Sequence, residues 1–181
     1  MKRAILLSFV AVASCSTTLQ VKTNYTPNTN FAQYRTYAWL PVSEVGVTAQ
    51  VLRGSTTEQA IKSSVEQQLA AKGIVPTATG NPDFLIAYHV VLQQQLDMSA
   101  WAYGVAPSGF EDAQQFTEGT LILDFIDPRT QQAFWRGSAK DVVGSNPQQG
   151  NPKVGEAVAK MVQQFPPAAA NVAAARPPAS Q

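Results

Sequence analysis

This 181-residue sequence contains one cysteine and one histidine, and only 14% of its residues are charged. A single cysteine leaves no partner for a disulfide within the chain. A structural zinc site takes about four nitrogen or sulfur ligands, which one histidine and one cysteine cannot supply. Hard cations take six or more oxygens, and no loop here is acidic enough to offer them. Basic and acidic residues number 13 and 12 with no block of like charge, so there is no electrostatic footprint for nucleic acid. The Gly-rich phosphate loop, the dinucleotide motif Gly-x-Gly-x-x-Gly and the Gly-x-Ser-x-Gly nucleophile elbow are also missing. What remains is ordinary apolar content, 45% hydrophobic. At this length that suits one domain with its own core and no covalent staples.

The most specific feature is N-terminal. Lys2 and Arg3 precede an apolar run, Ala4 to Ala13, interrupted only by Ser8. About ten residues are too few to span a bilayer as a helix, and the pattern predicts a signal peptide over residues 1–14. Val12-Ala13-Ser14-Cys15 resembles the bacterial lipobox, with Val12 in place of the commoner Leu. The resemblance implies cleavage after Ser14 and lipid, palmitate included, on Cys15, so that residues 15–17 form a lipid-anchored start. Ser16, not being Asp, is by resemblance compatible with sorting to the outer membrane. Two other readings stay open. Ala11-Val12-Ala13 is also an Ala-x-Ala cleavage site that would release a soluble periplasmic protein, and the segment could be a buried element of the fold. The lone cysteine favours lipidation, because a free thiol in an oxidising compartment is a liability. Several acyl chains, at roughly 0.8 kcal/mol per buried CH₂, anchor stably. Without Lys2 and Arg3 the mature chain keeps 11 basic against 12 acidic side chains.

Residues 18–167 read as one α+β domain. Leu19, Val21, Thr23 and Tyr25 alternate with polar residues as a half-buried strand, and Thr36–Leu40 is a second, aromatic one. Ser55-x-x-Glu58 is a capping box, Ile61, Val65 and Leu69 recur every fourth residue, and Gly73 stands at the stop, which predicts a helix over 56–72. Strands are predicted over 83–96, 117–126 and 133–143, with Asp127-Pro128 opening a turn. Pairing Asp124 with Arg136 puts Leu121, Leu123 and Phe125 on one face with Trp135, Gly137 and Ala139, so that register is self-consistent. Asn151-Pro152 starts a second helix, with Val154, Ala157, Val158, Met161, Val162 and Phe165 along one side. Residues 168–181 read as a disordered Ala/Pro tail. The order ββαβββα predicts an antiparallel sheet of about five strands with two helices packed on one face.

These stretches resemble a family of bacterial lipoproteins known only as domain of unknown function 4136. The resemblance rests on Tyr25-Thr26-Pro27, Phe31, Tyr34, Thr36–Pro41, Pro82–Ile86, Glu118–Asp124, Asp127-Pro128, Trp135–Ala139 and Phe165–Pro167. It implies an envelope lipoprotein with an α+β fold. It brings no activity, substrate or catalytic residue.

Among possible catalytic groups, His89 is the one imidazole base, and its mid-strand position reads as a sheet residue with a satisfied ring. Asp124 and Asp127 read as an ion-pair partner for Arg136 and a turn starter. Trp39 and Trp135 read as core. The best candidate contact residues are Trp101, Tyr103, Phe110 and Phe116, in a long connection rich in small residues, where aromatic side chains serve interfaces well. The expectation is a non-enzymatic binding or accessory module of the envelope, facing the periplasm, without metal or cofactor, whose partner is an envelope protein or cell-wall component. A small-ligand or lipid carrier is the alternative. A hydrolase using His89 or Asp124 stands behind both.

Overall fold

The computed structural model describes residues 19–41, 46–77, 80–91, 95–96, 115–116, 119–144 and 146–166. In chain order these form β1 (Val21–Tyr25), a 3-10 turn (Phe31–Gln33), β2 (Thr36–Trp39), α1 (Gly46–Val51), α2 (Thr56–Ala70) and β3 (Val75–Pro76). There follow β4 (Phe84–Val91), β5 (Gln95–Leu96), β6 (Gln115–Phe116), β7 (Thr120–Asp127), β8 (Gln132–Ala139) and α3 (Pro152–Gln163). The predicted segments 1–14, 15–17 and 168–181 lie outside the described residues.

The main sheet has six strands in the order β1-β8-β7-β4-β2-β3. It is mixed, not antiparallel as expected: β1, β8, β7 and β4 pair antiparallel, while β2 runs parallel to both β4 and β3. The cause lies between β2 and β3, where the chain crosses over through α1 and α2. A helical crossover returns the next strand in the same direction. The described residues hold three α-helices where two were expected. A six-residue helix and a two-residue strand leave no periodic pattern to read.

Two helices lie on one face, as predicted. Ser55 caps α2 by accepting the Glu58 N–H at 3.0 Å, and Ile61, Val65 and Leu69 are buried. Asn151 caps α3 by accepting the Lys153 N–H, and its apolar stripe from Val154 to Val162 is buried. The two helices run side by side in the same direction. Thr57 donates to the Gln149 carbonyl near their starts, Ser64 to that of Gly155, and Lys72 to that of Gln163 near their ends. They cover Ile86, Tyr88, Leu121, Leu123, Phe125 and Trp135. Fully burying such side chains contributes roughly 1.5–3 kcal/mol each.

The β7–β8 hairpin has the predicted register, Asp124 opposite Arg136 and Phe125 opposite Trp135. The next pair is Ile126 opposite Ala133, which leaves Phe134 as an extra residue in a β-bulge. The bulge turns two successive aromatics, Phe134 and Trp135, into the helix-side core. Ala133 and Ile126 face the other way, packing with Ala49 and Ala87. Trp135 is fully buried as expected, whereas Trp39 is half-buried at the rim of the core. α1 packs against β4, which β2 flanks only as far as Ile86. From there Ala49 joins the far-side cluster and Leu52 the main core.

β5 and β6 form a separate two-stranded ribbon. Its register is that of the β4–β7 hairpin: Val91 pairs with Thr120, and four residues further out Gln95 pairs with Phe116. The ribbon is therefore the hairpin's own extension beyond the sheet. This is why residues 83–96 read as a single long strand in the sequence.

Candidate functional site

The sheet face turned away from α2 and α3 carries buried polar residues, among them His89, Asp124, Arg136 and Ser138. Arg136 donates to Asp124 twice, Nε to Oδ1 at 2.6 Å and Nη2 to Oδ2 at 2.9 Å. The Asp124 side chain is fully buried and that of Arg136 is 8% exposed. His89 and Ser138 share this face, in one row with Ile122 between them. Two strand spacings, roughly 10 Å, separate their backbones, too far for a serine–histidine nucleophile pair. His89 is buried and its ring is not left unpartnered. Asp124 lies one row along, opposite Ala87.

A second polar knot sits on the helix side. Glu58, in the first turn of α2, accepts from the Tyr88 hydroxyl at 2.7 Å and from Lys62 at 2.7 Å, and its other oxygen accepts from the Gly54 N–H at 2.6 Å. Lys62 stands 5.8 Å from the centre of the Trp39 ring, in cation–π range. Burial works to raise the Glu58 carboxyl, but the hydrogen bonds from Lys62, Tyr88 and Gly54 outweigh it and hold it low. Burial, and then the bond to anionic Glu58, pushes the Tyr88 phenol well above its ordinary value. The capping box is thus altered: the glutamate reaches back to the residue before the cap and also into the sheet.

Asp83 and Asp127 hold ends of strands. One Asp83 oxygen accepts from the N–H groups of Arg35 and Thr36 and from the Thr36 hydroxyl, joining the starts of β2 and β4. The Arg35 N–H leads the effects that keep its carboxyl below the usual range. Asp127 accepts from the Arg129 N–H at 2.8 Å and pairs with its guanidinium at 3.0 Å, fixing the β7–β8 turn. All four of these carboxylates are engaged by donors that hold the fold. Glu58, Asp83 and Asp127 are held in the charged form, which suits them poorly to acid–base chemistry, where a carboxyl must be poised to exchange its proton. Among the described residues no group of three or more His, Cys, Asp or Glu is placed to hold a metal ion.

Of the residues singled out in the sequence, Cys15, Trp101, Tyr103 and Phe110 lie outside the described residues, and Phe116 is described only as backbone in β6. The Asp124–Arg136 pair is as expected. The Glu58–Tyr88 contact and the Asp83 clasp were missed. The first has no sequence signal, because it joins residues thirty apart across a crossover. The second had one in Pro82-Asp83-Phe84, an acceptor placed just ahead of a strand.

Six residues that carry the family resemblance, Tyr25, Phe31, Tyr34, Phe84, Trp135 and Phe165, meet in one aromatic cluster. Phe31 lies 5.8 Å from Tyr25 and 5.6 Å from Phe165, Tyr34 lies 5.8 Å from Phe84, and Trp135 lies 5.6 Å from Phe165. At these six positions the resemblance is one of packing. Fold and polar groups together define a small α+β domain of two helices on a mixed sheet, whose buried charges hold it together.

The chain belongs to the family named "Domain of unknown function (DUF4136)", whose profile matches residues 21–167. A DUF4136 family protein from Bacteroides thetaiotaomicron has a similar fold, with a TM-score of 0.54 at 16% identity over 82% of this chain and 96% of that one. Two weaker structural likenesses are a PDZ domain protein from Parabacteroides distasonis and a PelC dodecamer from Paraburkholderia phytofirmans. The first has a TM-score of 0.49 at 17% identity and covers 81% of this chain and 35% of that one. The second has a TM-score of 0.42 at 10% identity and covers 81% and 94%. Neither the family's name nor that of the DUF4136 structure describes an enzyme. Among curated protein sequences, none matches this chain.

Proposed function

We propose that this protein is a lipid-anchored module of the bacterial envelope, held at the periplasmic side of the outer membrane through Cys15, and that it binds or supports another envelope component. The observation that carries this reading is the spacing between the lipobox and the fold. β1 begins at Val21, six residues after Cys15, and the family profile begins at the same residue. The export and lipidation pattern thus falls wholly ahead of the domain, where a removable leader belongs. No helix among the described residues is long and apolar enough to cross a membrane, and lipid is the attachment we assign.

The proposed contact with the partner is the connection carried by the β5–β6 ribbon, with Trp101, Tyr103, Phe110 and Phe116. Its support is the ribbon, whose register matches that of the β4–β7 hairpin, and the aromatic content of the sequence between β5 and β6, which favours interfaces. The space between helices and sheet is filled by rings, Phe125 and Phe165 lying 4.8 Å apart, which counts against the carrier alternative.

Intact-mass measurement of the mature protein from envelope fractions tests the anchor. The expected species starts at an acylated Cys15; an unmodified thiol on a chain starting at Ser14 overturns the assignment. A photo-crosslinker at Trp101 or Tyr103 in intact cells is expected to capture one envelope component reproducibly. Absence of any specific adduct from either position would sink the contact assignment.

A further inference from the structure

One row of the sheet runs Val21, Ala139, Leu121, Val90. The start of β1 therefore lies at the same pole as the ends from which β4 and β7 leave the sheet as the ribbon. The starts of α2 and α3 lie there too. Glu58 reaches Tyr88, and the Thr56 and Thr57 hydroxyls donate to the carbonyls of Gln148 and Gln149, just ahead of α3. Around this pole stand Lys22, Arg53 and Lys153, all exposed, and Lys140, half-buried. The Lys140 N–H donates to the carbonyl of Gln20, in the tether itself. Among the described residues, the acids here are Asp141, which is exposed, and Glu58, which is buried and bound to Lys62.

We infer that this pole is the face the domain turns to the bilayer, and that Lys22, Arg53, Lys140 and Lys153 bind the phosphates of anionic lipid headgroups. The inference rests on lipid at Cys15 as proposed above. Six residues of extended chain reach at most about 20 Å, so the tether holds the Val21 end within that distance of the surface. The far pole, marked by Arg129 in the β7–β8 turn, lies a further eight-residue strand away, roughly 27 Å. Electrostatic attraction to the headgroups dies away over about 8–10 Å, so the near pole feels it when the tether is less than half extended, and the far pole, a strand length further out, does not. Each basic residue close to an anionic surface strengthens association by about five-fold.

The test uses the mature lipidated protein reconstituted into phosphatidylcholine vesicles with or without phosphatidylglycerol. Lipid occupies the chain's single cysteine, so Gln149→Cys and Arg129→Cys each create one site for a fluorophore. Headgroup-attached quenchers should dim the label at position 149 in the anionic vesicles. Salt, or the combined changes Lys22→Gln, Arg53→Gln and Lys140→Gln, should reverse this. The label at position 129 should stay bright throughout. Equal quenching at both positions, or quenching at 149 indifferent to phosphatidylglycerol and to the charge changes, overturns the inference. Intact mass separates this from failure of the anchor itself. If Cys15 proves bare, the unlipidated chain should still sediment with anionic vesicles more than ten-fold better than with neutral ones. Loss of that preference would sink the inference independently.

Discussion

Arg136 and Asp124 meet as a bidentate ion pair across two adjacent strands, with both oxygens of a fully buried carboxylate taken up by one guanidinium. Removing one partner strands the other charge in a low-dielectric setting, which costs about 3–5 kcal/mol. Replacing both with apolar residues of similar size removes the desolvation penalty as well. Urea denaturation of Arg136→Leu should therefore show a loss of about that size, while Asp124→Leu/Arg136→Leu should be distinctly more stable than the single variant. A double variant as unstable as the sum of the two singles would show that the two side chains do not stabilise one another and would overturn this reading.

Acid should unfold this protein through its fold-holding carboxylates. Glu58 and Asp83 are both held below their ordinary values of 4.5 and 3.8. A depressed carboxyl stabilises the fold at all pH above its unfolded value, and that stability is lost as pH falls through the folded one. Stability measured by denaturant titration should be level from neutrality down to about pH 5 and then fall. Glu58→Gln and Asp83→Asn should each make that fall shallower. If both variants keep the parent's slope, other groups govern the acid limb.

The elements that proved legible were those with a full period of pattern. The α2 repeat of Ile61, Val65 and Leu69, its Ser55 cap, the α3 stripe and the Asp124–Arg136 register all stand in the structure as read. Direction was not legible. Hydrophobic alternation says which face of a strand is buried and nothing about which way its neighbour runs, so the parallel β2–β4 pairing was invisible. The β3 partner of β2 spans two residues, one of them Pro76, and has no alternation to show. The Phe134 bulge was hidden for a related reason. A bulge breaks the period of two, and Ala133-Phe134-Trp135 reads as a continuous apolar run. The candidate contact residues were legible as composition alone, since aromatics in a long connection say nothing about what they touch.

That bulged phenylalanine should be among the least replaceable residues. Phe134 stacks on Tyr34 with ring centres 4.1 Å apart and lies 5.9 Å from Phe84 and 6.3 Å from Phe165. Phe134→Ala leaves a cavity within this cluster and should cost about 3–5 kcal/mol by denaturant titration. A loss below about 1 kcal/mol would mean that the cluster closes over the gap.

Gly119 marks the place where the hairpin leaves the sheet to become the ribbon. Its φ is +79°, and a Cβ there would stand 2.6 Å from the Val143 carbonyl oxygen. Its own carbonyl accepts from the N–H groups of Val142 and Val143, and its N–H donates to Val91. An alanine here meets two obstacles at once, the left-handed backbone and a rigid backbone neighbour. Gly119→Ala should therefore cost more than about 1 kcal/mol, the usual penalty where φ is incompatible with a side chain. Gly144→Ala is the matched control, because its φ is ordinary and a Cβ would meet nothing within 4 Å. That variant should stay within about 0.5 kcal/mol of the parent. The same two variants probe the ribbon. Amide hydrogen exchange at Gln95 and Phe116 should quicken in Gly119→Ala and stay unchanged in Gly144→Ala, because the base of the ribbon is fixed by the bonds that Gly119 makes. Unchanged exchange in both would show that the ribbon is held in place independently of Gly119.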